Sequence, residues 1–185
     1  MASIDTLVCA TDCSTELPQV EFSECAPVLL QAQVSDIYLA NDGYELTNWE
    51  DPAEWATRIS NTSTDPDAIR HLTFIGSLAD PTVTEKKISH SRTVYSPQEF
   101  TIAGRIDDNS DKNYDFMRGT GCNRQYRMWF GTLGDKLYGG NTGILTNLRM
   151  WEVIAEDENE YATLSVQLKW KATFAPLRIT NPIAA

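Results

Sequence analysis

Four cysteines and two histidines are the side chains best suited to metal binding or acid–base work, so they bound the chemistry open to this chain. Cys9, Cys13 and Cys25 are spaced C-x3-C-x11-C, and Cys122 lies far away. Zinc takes four tetrahedral soft ligands, a number these thiols could supply. The paired C-x2-C knuckles that usually hold zinc are absent, however. Residues 1–7 carry neither a basic n-region nor an apolar h-region, so no export signal is read there and disulfides are not the first expectation. Free or buried thiols are the default reading, and Asn61-Thr62-Ser63 is read as a chance sequon. Neither His71 nor His90 stands at a metal-ligand or general-base spacing. Asp107, Asn109 and Asp111 match positions 1, 3 and 5 of a calcium loop. Position 6 is Lys112 instead of glycine and position 12 is Arg118 instead of glutamate, so a solvated turn is expected. Gly119-Thr120-Gly121 and Gly139–Gly143 lack the strand and helix that frame a phosphate cradle. No catalytic residue, cofactor or metal is therefore expected.

The 185 residues are enough for one domain with its own core. Fifteen basic against 26 acidic residues give a formal charge of −11. That disfavours tight binding to a phosphate backbone, which needs clustered cations, yet it suits a surface that DNA only passes. No apolar run reaches the roughly 20 residues of a membrane helix, so no membrane partner is expected.

The elements that would position side chains are mostly strands. Residues 1–32 read as an irregular arm, and 33–185 as a single β-rich domain. Val34–Ala40 reads as a strand, followed by the turn Asn41-Asp42-Gly43. Asp51-Pro52-Ala53-Glu54 is a helix start by its chemistry: a capping carboxylate, a proline at the first turn, and an acid near the positive dipole end. Trp55, Ala56 and Ile59 give that helix an apolar face, to about Ser60. Leu72–Leu78 is a short apolar strand. Thr84–Tyr95 is polar on both faces and is expected to pair with Gln98–Asp107 as a projecting hairpin. Lys112–Thr120 looks helical. Gln125–Thr132 and Lys136–Tyr138 flank Gly134-Asp135, expected as a two-residue turn with glycine first.

The most informative stretch is the last. From Ala162 to Phe174 each even position is apolar, whereas Thr163, Ser165, Gln167, Lys169, Lys171 and Thr173 fill the odd ones. Extended from Tyr161 to Phe174, the strand would run about 45 Å, well beyond the usual five or six residues. Its expected partner is Ile144–Ala155, with Ile144, Leu148, Met150 and Ile154 on one face and Asn147 and Arg149 on the other. Trp151 and Val153 break that alternation. The turn between them, Glu156 to Glu160, has four acids in five residues. Such a hairpin wants one covered and one wet face. Side by side in a ring of subunits, such hairpins would close into a barrel with a polar lumen.

From about Val34 onward, this order resembles the major tail-tube proteins of tailed bacteriophages: an early helix, a polar projecting hairpin, a second short helix and a long alternating hairpin. The resemblance implies a mainly β, β-sandwich or barrel-like tail-tube fold with one or two short flanking helices. It implies stacked homo-oligomeric rings, usually hexamers, in a virion tail assembled in the bacterial cytoplasm. Partners would be the chain itself, other tail proteins and DNA in transient, non-specific passage. Lys86, Lys87, Arg92, Phe100 and Ile102 would then lie at subunit interfaces, and Thr163, Ser165, Gln167 and Lys169 would face the lumen. Lys169 and Lys171 fit poorly with a uniformly negative channel. Two alternatives stand beside this reading. One is another virion component, such as a capsid decoration, neck or baseplate protein. The other is a ligand- or carbohydrate-binding β-sandwich using Trp129, Tyr138 and Trp151.

Overall fold

The structure, a computed structural model, describes residues 29–62, 64–83, 85–89, 92–95, 97–120, 124–154, 156 and 159–183, with the backbone alone over 85–89 and 92–95. The fold is mainly β. Its strands are β1 (Val34–Asn41), β2 (Arg70–Leu78), β3 (Glu85–Ser89), β4 (Arg92–Tyr95), β5 (Gln98–Ile106), β6 (Gln125–Thr132), β7 (Lys136–Tyr138), β8 (Ile144–Val153), β9 (Thr163–Ala172) and β10 (Arg178–Thr180). Two helices accompany them, α1 (Pro52–Ser60) and α2 (Asp111–Thr120).

Six antiparallel strands close on themselves in the order β1-β2-β5-β9-β8-β6, with β6 returning to β1. Closure satisfies the backbone groups that an open sheet would leave at its edges. It also explains the alternation along β9. Leu164, Val166, Leu168 and Trp170 point into the barrel and are buried among Ile37, Phe74, Phe100, Ile102, Met128 and Phe130. The aromatic rings of Phe100 and Trp170 stack inside at 5.2 Å. Where β2 and β5 cross, Gly76 faces Gly104, and the Phe74 ring fills the space their side chains would take.

A second core lies outside the barrel wall, over β1 and β6. Tyr38, Ala40 and Trp129 point outward there and are covered by Trp49, Trp55, Ile69 and Leu137. Trp55 meets Trp129 edge-on at 5.4 Å and Tyr38 at 5.2 Å. α1 delivers Trp55, and its start is as expected: the Asp51 carboxylate caps it by accepting from the Ala53 amide at 2.9 Å. Glu54 turns back to accept from the amides of Thr47 and Asn48. Ala56, expected on the apolar face, is exposed, and the buried position is Arg58. Its guanidinium donates to the carbonyl oxygens of Asp67, Glu45 and Tyr44 at 2.8, 2.9 and 2.8 Å. One side chain thus ties α1 to the loops before and after it.

Three expectations are corrected. Thr84–Tyr95 does not pair with Gln98–Asp107: β3 and β4 pair with each other, and β5 lies between β2 and β9 in the barrel wall. β8 and β9 are ten residues each, not twelve and fourteen, and Ile154 and Phe174 lie beyond their ends, exposed. The turn between β6 and β7 has three residues, Leu133 to Asp135, and Asp135 instead of glycine takes the left-handed conformation at φ 57°. An αL residue in third place matches the bulged three-residue hairpin loop.

Candidate assembly face

The strands β2, β5, β9 and β8 turn a continuous outer surface to solvent, and no described element lies over it. Register fixes its rows. Ile75, Arg105, Ser165 and Trp151 lie side by side, and so do Ser77, Ala103, Gln167 and Arg149. The next row runs Thr101, Lys169, Asn147 and Gln125. Thr163, Ser165, Gln167 and Lys169 therefore do share one face, and it is the outer one. α1 sits over β1 and β6, away from these four strands. α2 lies against β8, with Phe116 and Met117 packed on the barrel core and the Thr120 hydroxyl near the Met150 sulfur.

Apart from Leu145, this face is polar toward the start of β8, and it is apolar toward its end. Trp151 is 46% exposed, Val153 40% and Ile154 76%, and Tyr161 beyond the turn is 90% exposed. The break at Trp151 and Val153 was visible in the sequence, and its cause is now clear: both are outward residues that happen to be apolar. Ile75 extends the same character to β2. Apolar side chains gathered at one end of an open face mark contact surface more often than isolated ones do.

The projecting ribbon is the second feature. Thr82 and Glu99 exchange both backbone hydrogen bonds at 2.9 Å, pinning the base where the chain leaves β2 and re-enters at β5. Beyond that base, β3 pairs with β4 as a separate two-stranded sheet. A two-stranded ribbon is marginal on its own in water. The side chains of Lys86, Lys87 and Arg92 lie outside the described residues. Phe100 and Ile102, expected at a subunit interface, are instead interior: both are buried in the barrel core, because β5 is a wall strand.

Among the described residues, the groups best suited to chemistry are engaged with one another or with the backbone. His71 bonds Asp36 through Nε2 at 2.7 Å and stacks on Tyr38. Ser35 donates its hydroxyl to the other Asp36 oxygen. The carboxylate thus stands between serine and histidine, whereas a nucleophilic serine needs the imidazole beside it. The His71 hydrogen bond holds the Asp36 carboxyl below its ordinary value, against an opposing push from burial. Burial, with the Asp36 charge adding to it, pushes the Tyr38 phenol up to about 12.

In the loop with the partial calcium-loop pattern, Asp107 is ion-paired with Arg105 at 2.9 Å, and Asn109 donates to Glu152 at 2.8 Å. Asp108 accepts from the Ser110 amide. Those groups serve turn geometry, and among the described residues no three His, Cys, Asp or Glu side chains converge. Cys9, Cys13, Cys25 and Cys122 lie outside the described residues, so the zinc question lies there too. Trp129, offered as a glycan platform, is fully buried, and its indole donates to the Gly140 carbonyl at 2.6 Å. The glycine loop wraps that ring: a side chain at Gly143, where φ is +65°, would meet it at 2.7 Å. No protein-family model, curated protein or solved structure matches the chain.

Proposed function

We propose that the chain is a structural, non-catalytic subunit of a bacteriophage tail tube, assembling into rings that stack around the path of the DNA. The observation that carries this reading is the open four-stranded face of β2, β5, β9 and β8, with α1 packed elsewhere on the barrel. In a ring, the polar rows of this face would line the bore. Neighbouring copies would then meet through side chains, because β2 and β8 already hydrogen-bond to β1 and β6 within the subunit. The apolar end, with Trp151, Val153, Ile154 and Tyr161, would meet the adjacent copy. The β3–β4 ribbon, polar in sequence and paired only with itself among the described residues, would reach a neighbour as well.

Negative-stain electron microscopy of the purified protein, with its sedimentation profile, tests the proposal. Rings or tubes of constant bore are expected. A monodisperse monomer at all concentrations would sink it, and finite rings that never stack would favour a neck or decoration protein. Saturable binding of a glycan by a monomer would favour the ligand-binding alternative, although burial of Trp129 removes one of its three aromatics.

A further inference from the structure

Three hollows lie side by side where β9, β8 and β6 meet, of about 420, 420 and 720 Å³. Asn147 lines all three, Lys169 joins the first to the second, and Gln125 joins the second to the third. They form one shallow groove across the polar end of the open face. Its walls are rich in donors: Arg149 and Gln167 at one end, Lys169 and Asn147 in the middle, Gln125 and Arg124 at the other.

The acids on the groove are already engaged. Glu99 pairs with Lys171 at 3.7 Å, and Asp42 pairs with Arg127 at 2.9 Å. Arg149, Lys169 and Arg124 have no ion-pair partner among the described residues, and each is exposed. In a chain with a formal charge of −11, this is a local excess of unpaired cations interleaved with carboxamides. Guanidinium, ammonium and amide groups are those that hold phosphate oxygens without reading bases. A groove also suits an extended polyanion better than a compact one.

We infer that the groove of Arg149, Lys169, Arg124, Asn147, Gln125 and Gln167 is a contact track for the phosphodiester backbone of DNA. The inference rests on the tube reading only for the choice of DNA as the polyanion that passes this face. Lys169, a poor fit to a uniformly negative channel, then belongs to a weakly holding stripe. Each contact is solvent-exposed and salt-screened, so one subunit binds weakly, and copies around a ring would add their contacts.

The test is fluorescence anisotropy with a short labelled DNA duplex, titrated between about 50 and 200 mM salt. Saturable, salt-sensitive binding is expected. The double variant Arg149→Gln/Lys169→Gln should weaken it about tenfold or more at low salt, and should flatten the log–log salt slope by about 2. The charge-keeping Arg149→Lys/Lys169→Arg should retain it, and Lys171→Gln should change it less. Absence of binding, or equal binding by the double variant, would overturn the inference. So would displacement by inorganic phosphate beyond matched chloride, which would mark a small-anion site. Self-association lost in the double variant without DNA would point to an acidic copy of the chain as the occupant, and would also overturn it. Rings are scored by microscopy on the same samples. Rings that ignore DNA would reject the groove and leave the tube reading, and DNA binding without rings would do the reverse.

Discussion

Arg58 is the side chain whose removal should cost the fold most for a residue that looks dispensable in sequence. It is 8% exposed, and its guanidinium donates three hydrogen bonds, to the carbonyls of Asp67, Glu45 and Tyr44. Bonds from a charged donor contribute about 1.5–3 kcal/mol each, so the gross sum is roughly 5–9 kcal/mol. Tyr44, Glu45 and Asp67 are themselves exposed residues, so water can reach part of what Arg58→Ala leaves unpaired. The Glu54 carboxylate stands 4.0 Å away and contributes little. The net cost for Arg58→Ala should be about 2–4 kcal/mol. With a urea slope of about 2 kcal/mol/M, the unfolding midpoint should fall by about 1–2 M. Arg58→Lys keeps the charge and stem but cannot span three carbonyls in one plane, so it should lose about half as much. Loss of less than about 1 kcal/mol in Arg58→Ala would refute the idea that this side chain clamps α1 to its flanking loops.

Four further perturbations follow from other parts of the molecule. In Gly104→Ala the new methyl would stand 2.3 Å from the Ile75 carbonyl, so β2 and β5 must part, costing about 2 kcal/mol or more in a urea melt. Gly119→Ala in α2 meets nothing within 4 Å and should be neutral or stabilising. The Asp36 carboxyl is held below its ordinary value in the fold, so its stabilisation is present above the unfolded value near 3.8 and lost as pH falls through the lower folded value. Asp36→Asn should therefore lower the unfolding free energy at pH 7 by about 1 kcal/mol or less in urea melts, and the gap from wild type should close as pH falls below about 4. An unchanged gap at pH 3 would count against the His71 pairing. Trp151→Gln with Tyr161→Gln should leave the subunit's unfolding free energy within about 0.5 kcal/mol of wild type. The same pair should raise the concentration at which sedimentation detects assembly, and unaltered assembly would remove the apolar end from the contact.

Local chemistry carried much of the fold into view. The Asp51-Pro52 start of α1, the bounds of β6 and β7, and the inward set Leu164, Val166, Leu168 and Trp170 all follow from neighbours a few residues apart. What the sequence hid depends on distant pairing. β1 and β6 are some 90 residues apart and covered on both sides, so Trp129, read as a binding aromatic, is core. β5 alternates as an edge strand would, and only its place between β2 and β9 puts Phe100 and Ile102 inside. Arg58 carries a charge that a pattern assigns to solvent, and its three carbonyl partners come from two loops, one on either side of α1. The candidate face was half legible: Thr163, Ser165, Gln167 and Lys169 were grouped by alternation alone. Asn147 and Arg149 came with them as the wet side of the partner strand, whereas Arg105 and Ile75 joined only through register across four strands.

The central claim is that this face turns toward a bore shared by several copies. A reconstruction of assembled protein by electron cryomicroscopy tests it most directly, because it locates the strands relative to the axis. The expected map is a ring in which β2, β5, β9 and β8 face inward, with Ser165, Gln167 and Lys169 on the bore and α1 outside. An assembly with that face turned outward, or a protein that stays monomeric at every concentration, would contradict it.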